Sequence, residues 1–166
     1  MRAYSQSELD ELVNCPKVIA SPPRKEMKLD GGHRRNDMEV RSKDGKVKFT
    51  VFMRINEMLQ ENFSVGLVYH PTDEPVTICL LRCNGQHGLH KNRVINDAQF
   101  DGFHIHQATE EAIAADLAPE QYAELTTEYA SYQQGLAHLV KIANITDTEK
   151  YFPDLGQTSL WLMEPI

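Results

Sequence analysis

Hydrophobic and polar residues change period several times along this chain, and each change marks an element. Ser5-Gln6-Ser7-Glu8 has capping-box spacing ahead of Leu9, Leu12 and Val13, which predicts a short amphipathic helix that Cys15-Pro16 stops. Residues 16–36 hold Pro22-Pro23, Gly31-Gly32 and the start of the polar run His33-Arg34-Arg35-Asn36-Asp37, and read as an irregular connection. From about residue 37 the period becomes two. It is clearest where Val47, Phe49, Val51, Met53 and Ile55 alternate with Lys48, Thr50 and Arg54, after a turn at Lys43-Asp44-Gly45. Phe63, Val65, Leu67 and Tyr69 predict a third strand, and the loop from Pro71 to Pro75 reverses the chain. Val76 to Cys83 predict a fourth strand, apolar on both faces and therefore interior to the sheet. A polar loop then leads to a short strand from Phe100 to His106.

Thr109 caps a helix with Glu110 and Glu111 in its first turn, where carboxylates complement the helix dipole. Pro119 reads as the first residue of a longer helix that Asn144 ends. Within 119–144, Tyr122, Leu125, Tyr129, Tyr132, Leu136, Leu139 and Ala143 alternate spacings of three and four. Such a seam packs on a sheet or forms a homodimer contact between two copies of the 119–144 helix. Ser159 to Met163, with Trp161, read as a terminal edge strand. The expectation is a single α+β domain over 1–166. Its antiparallel β-meander has about four to six strands, with the helices of 110–144 packed on one face.

Composition narrows the class. An apolar content of 41% and a charged content of 25% over 166 residues describe an ordinary globular chain. The N-terminus lacks the roughly 7–15-residue apolar stretch of a signal peptide, and no run reaches the roughly 18 residues of a membrane span. A cytoplasmic protein with no membrane partner is expected. Cys15, Cys79 and Cys83 form neither a disulfide framework nor a C-x-x-C site. The net charge of −7 hides a polarity: residues 17–54 carry 11 Lys and Arg against 5 Asp and Glu, and residues 107–166 carry 2 against 10. Such a polarity steers a polyanion to one face, or consists simply of two solvated faces.

Candidate chemistry concentrates in residues 82–106, which hold Arg82, Asn84, His87, His90, Lys91, Asn92, Arg93, His104 and His106, four of the seven histidines among them. On a strand His104 and His106 point to one side and Phe103 and Ile105 to the other, so the apolar pair takes the core and the histidines face away from it. Three readings stay open. The first is acid–base cleavage of a nucleic-acid or nucleotide phosphodiester without a metal cofactor. His87, His104 and His106 supply base and acid, Arg82 holds a phosphoryl oxygen, and Asn84, His33, Arg34 and Arg35 are substrate contacts. The second is a metal site, in which His87, His90, His104 and His106 bind a divalent transition metal such as zinc. The third is a regulatory or partner-binding protein without catalysis.

The run Arg82-Cys83-Asn84-Gly85-Gln86-His87, followed by Phe103-His104-Ile105-His106, resembles the pattern of TumE-like toxins of bacterial toxin–antitoxin systems. There an Arg-aromatic-Asp motif ends a strand, a histidine follows, and an H-x-H strand comes later. Here Cys83 replaces the aromatic residue and Asn84 the acid. The resemblance implies a small α+β toxin with RNA- or nucleotide-directed activity and an antitoxin partner.

Overall fold

The computed structural model describes residues 2–92 and 99–155. Arg93 and the expected strand at Ser159–Met163 lie outside the described residues. The fold is α+β. An antiparallel sheet runs in the order β1 (Lys17–Ser21), β3 (His33–Ser42), β4 (Lys48–Asn56), β5 (Phe63–His70), β6 (Ile78–Asn84), β7 (His104–Gln107) and β8 (Tyr122–Leu125), with β2 (Lys28–Asp30) also on β3. That makes eight strands among the described residues, more than the four to six expected. The surplus comes from two places. Residues 16–36 are not an irregular connection but hold β1, β2 and the start of β3, and β8 lies inside the stretch expected to be helical.

Alternation gives the sheet two unlike faces. On one, Met38, Val40, Phe49, Val51, Met53, Val65, Leu67, Leu81 and Cys83 are buried against α1 (Gln6–Asn14) and α3 (Tyr132–Ile142). Leu9 of α1 and Leu136, Leu139 and Val140 of α3 complete that core. The expected interior strand is β6, between β5 and β7, and an irregularity in its register with β5 at Leu67/Val68 lets Leu80 and Leu81 both be buried. The capping box is present at α1, where the Ser5 side chain accepts from the Glu8 amide and the Glu8 carboxylate accepts from the Ser5 amide. Thr109 caps α2 (Glu110–Ala114) in the expected way.

The predicted helix over 119–144 is corrected. Residues Tyr122–Leu125 pair with β7, and α3 starts only after Ser131, whose side chain accepts from the Gln134 amide. A dimer seam along one continuous 119–144 helix therefore has no physical basis. The apolar spacing holds only from Tyr132 onward, where Leu136, Leu139 and Ala143 face the core. Asn144 does end the helix region, with a positive φ of 53° just after the cap. Among the described residues no helix is long and apolar enough to cross a membrane.

One buried cation ties the helix layer to the sheet. Lys17, fully buried at the start of β1, donates from Nζ to the carbonyls of Val13 (2.7 Å), Cys15 (2.8 Å) and Ala143 (3.0 Å). These oxygens lie at the C-terminal ends of α1 and α3, where carbonyls lack helical partners and the dipole favours positive charge. Desolvation nonetheless lowers the Lys17 pKa below the usual lysine value. Lys17→Met keeps the stem but leaves three buried acceptors without a donor. Urea unfolding should show a loss on the order of 3 kcal/mol, whereas an unchanged midpoint would mean that water replaces the ammonium.

Candidate functional site

The second face of the sheet carries the polar residues. The β6–β7 register sets Arg82 opposite His106 and Asn84 opposite His104, and neighbouring β5 adds Ser64 opposite Asn84. Phe103 and Ile105, alternating with the histidines, pack against the core as expected. The sequence led to a correction on the other side. His104 and His106 do not stand on an open strand face, because both are buried, 0% and 2% exposed.

What covers them is the connection between β6 and β7. Gly85 starts it where the backbone passes so close to Glu61 that a Cβ would collide with that residue's carbonyl. Its first arm returns over the sheet through His90, whose amide donates to the Phe100 carbonyl at 2.8 Å while the Phe100 amide donates back at 3.0 Å. Asn92, also buried, anchors that arm to β8: its Nδ2 donates to the Ala123 carbonyl (2.9 Å) and its Oδ1 accepts from the Ala123 amide (2.8 Å). The ring of His90 thereby stacks on His104 at 5.3 Å and meets His106 edge-on at 4.7 Å.

The hydrogen bonds fix which nitrogen each imidazole presents. His104 Nδ1 is 2.7 Å from the Gly102 carbonyl and His106 Nδ1 is 2.8 Å from the Glu120 carbonyl. A carbonyl only accepts, so each Nδ1 carries the proton and each Nε2 is left with its lone pair. Nε2 of His104 meets the Asn84 amide nitrogen at 3.3 Å, and Nε2 of His106 meets Arg82 Nη2 at 3.4 Å, both long contacts. His90 Nε2 is buried with no hydrogen-bond partner at all. One ring nitrogen from each of His90, His104 and His106 lies within 4.8 Å of the others.

Of the four histidines expected to ligate together, three converge, and His87 stands apart. It is exposed, its ring meets His104 edge-on at 4.9 Å, and its Nε2 faces Asn84 Nδ2 at 3.0 Å. Arg82, Asn84, His87, His90 and His106 share a cavity of about 260 Å³ with His33. Arg34 and Arg35, expected as substrate contacts, do not line it: Arg34 pairs with Glu57 at 3.6 Å and Arg35 with Asp30 at 3.2 Å. Instead Arg54, expected only as a polar position in an alternating strand, and Ser64, not expected at a site, enter from β4 and β5. Tyr129 is a second omission. Buried behind β7, its hydroxyl donates toward the carbonyls of His104 (2.7 Å) and Asn84 (3.2 Å) and so fixes the backbone of both site strands.

Burial controls the electrostatics. It pushes the His104 imidazole down to about 4 and, with help from the Arg82 guanidinium, that of His106 down to about 3. His90 is also lowered, chiefly by desolvation. Burial drives the Cys79 and Cys83 thiols up to about 12, which removes them as nucleophiles at neutral pH.

The depressed imidazoles have a measurable consequence in chelator-treated protein. Their folded pKa values lie below the ordinary 6.5, so the unfolded chain takes up protons that the folded one does not. Stability from these groups is full above about pH 6.5 and falls on acidification toward pH 4. Between pH 7 and 5 the unfolding free energy from urea titration should drop, by on the order of 1 to 2 kcal/mol per imidazole, and a His104→Gln/His106→Gln protein should lose most of that slope. An equal slope in both proteins would place the effect elsewhere. Compared with protein-family models, curated proteins and solved structures, the chain has no match in any of the three.

Proposed function

We propose that this chain is a metal-dependent hydrolase whose ion is held by His90, His104 and His106. The observation that carries the reading is the convergence of three imidazoles, those of His104 and His106 buried and that of His90 half-buried, with His90 Nε2 left without any partner. A buried polar atom without a hydrogen bond is costly, and a ligand ion removes that cost for His90 Nε2 while replacing the long contacts made by Nε2 of His104 and His106. The backbone carbonyls on Nδ1 of His104 and His106 serve as the outer partners that orient metal-binding histidines and fix their tautomer. Neutral imidazole suits zinc, copper, nickel and iron. Nitrogens about 2.0–2.1 Å from a tetrahedral zinc stand about 3.4 Å apart, so the rings need to close by little more than an ångström.

Three protein ligands leave a coordination position for water, the arrangement of catalytic rather than structural zinc sites. An ion held by the three imidazoles would act as a Lewis acid and would bring the pKa of a bound water to about 7. The cavity touches His90 and His106, so a substrate has access to the ion from that side. Metal-free acid–base catalysis by the His104 and His106 pair has less support. It needs one of the two protonated near neutrality, and burial opposes that for both. Exposed His87 lies at the cavity wall with its Nε2 facing Asn84 Nδ2.

Untagged protein purified without chelator should contain close to one equivalent of a transition metal per chain. His104→Ala should lose it, and His87→Ala should retain it. Metal absent from the wild type after supplementation, or equal in the wild type and His104→Ala, would sink the reading.

A further inference from the structure

We propose that the cavity walled by Arg82 and Arg54 beside the three-histidine centre holds the phosphoryl group of a phosphate-ester substrate. The proposal rests on the metal reading for one of its contacts. The arginines stand independently of it.

Charge points first to an anion. The chain is acidic overall, at −7, but the cavity is walled by two guanidiniums and by no carboxylate among the described residues. The acids that pair with the arginines stand behind them: Asp37 accepts from Arg54 Nη2 at 2.8 Å, and Glu120 lies 3.9 Å from Arg82 Nη1, while Glu61 and Asp101 line only the adjoining cavity. Arg54 is held in place by its Nη1 bonds to the carbonyls of Asn36 and Met53, so it keeps its position without a ligand. Arg82 is the less satisfied of the two. Its Nε is buried without a partner, and its other contacts are the long ones to His106 and Glu120. A guanidinium with unmet donors in a part-buried wall favours an oxyanion, and its planar fork matches phosphate oxygens.

Geometry then selects the class of anion. Arg54 reaches the cavity from β4, Ser64 from β5 and Arg82 from β6, while His90 and His106 bring the metal position to the same space. Donors arriving from separate strands suit a tetrahedral group with several acceptor oxygens better than a planar carboxylate. At about 260 Å³ the cavity is smaller than the roughly 300–1,000 Å³ of a site that encloses a whole drug-sized ligand. An adjoining cavity of about 630 Å³ shares Asn62 and His87 with it and includes Met58 and Leu59, which are 86% and 65% exposed. In a groove otherwise lined mostly by polar residues, Glu61 and Asp101 among them, Met58 and Leu59 give the organic part of an ester an apolar edge, which free phosphate does not need.

The chemistry is a balanced hydrolysis. The water oxygen bonds to phosphorus as the P–O ester bond breaks, the bonding pair leaves on the ester oxygen, and that oxygen takes the proton the water gives up. No oxidant or reductant enters.

Titration calorimetry with inorganic phosphate, thymidine 5′-monophosphate and acetate, on metal-loaded and chelated forms of the 166-residue chain, tests the proposal. Phosphate should bind, acetate should not compete, and the nucleotide should bind at least fivefold more tightly than phosphate. Arg82→Gln should weaken phosphate at least tenfold with metal content unchanged. Arg54→Gln, a second variant on another strand, should weaken it severalfold if Arg82→Gln fails to fold. Met58→Ser/Leu59→Ser should weaken the nucleotide alone. Phosphate affinity unchanged in both arginine variants, or acetate binding equally well, would overturn the anion assignment. Equal affinity for phosphate and nucleotide would overturn the ester. Removing the metal should cost severalfold in phosphate affinity. A wild type that takes up no metal yet binds phosphate through Arg82 would defeat the three-histidine reading and leave the anion site standing.

Discussion

The register between β6 and β7 is the constraint on which the site depends. It places Arg82 beside His106 and Asn84 beside His104, with Cys83 and Ile105 paired on the other face. A slip of one residue would turn every β7 side chain over, sending two imidazoles into the apolar core and Ile105 out under the covering loop. The core therefore enforces the site: Cys83 and Ile105 have a place only under the helices. The same logic extends outward through Ser64 on β5 and Arg54 on β4, which reach the polar face because Val65 and Met53 occupy the apolar one.

That coupling also explains why the basic segment is not a bare cationic stripe. Five of its eleven basic residues pair with acids of the same segment, Arg35 with Asp30, Arg41 and Lys48 with Glu39, Lys46 with Asp44 and Arg54 with Asp37. Exposed pairs of this kind add little stability and leave little field. The positive charge that matters is local, at Arg82 and Arg54, whose part-buried side chains are screened less than fully exposed ones. The sum over residues 17–54 is a poor guide to it.

The sequence made the elements with strong local signals legible. Ser5-Gln6-Ser7-Glu8, the alternation from Val47 to Ile55 and the doubly apolar Val76–Cys83 each led to the right element, because period and caps are local properties. What failed was the stretch from Pro119, where a three-four spacing ran by coincidence across a strand, a turn and a helix. A better signal was present: Ser131-Tyr132-Gln133-Gln134 has S-x-x-Q capping spacing, and the Gln134 side chain accepts from the Ala130 amide. At the site, alternation on β7 correctly put His104 and His106 on one side. Their burial was not legible, since it depends on a loop that returns over the sheet through His90 and Asn92. Arg54 and Ser64 were equally hidden, because their part in the site comes from strand order and not from proximity in sequence.

Burying this cluster works against folding in the metal-free chain. Three imidazoles leave water, two of them held neutral far below their ordinary pKa, and His90 Nε2 gains no hydrogen bond in exchange. A core made only for stability would fill these positions with apolar side chains, as it does on the opposite face with Cys83 and Ile105. Local rules are broken here together: unpaired nitrogen, unprotonated rings, and an arginine with an idle Nε. Such conflicts concentrate where a fold gives up stability for a ligand. The strain is held by parts that satisfy the rules fully. Asn92 closes both hydrogen bonds on β8, Tyr129 pins the β6 and β7 carbonyls, and Lys17 locks the helix layer beneath. Under the proposed reading, a cation among the three rings would give His90 Nε2 a partner and an anion beside it would do the same for Arg82; the two ligands would be complementary in charge, so that binding of either would favour the other.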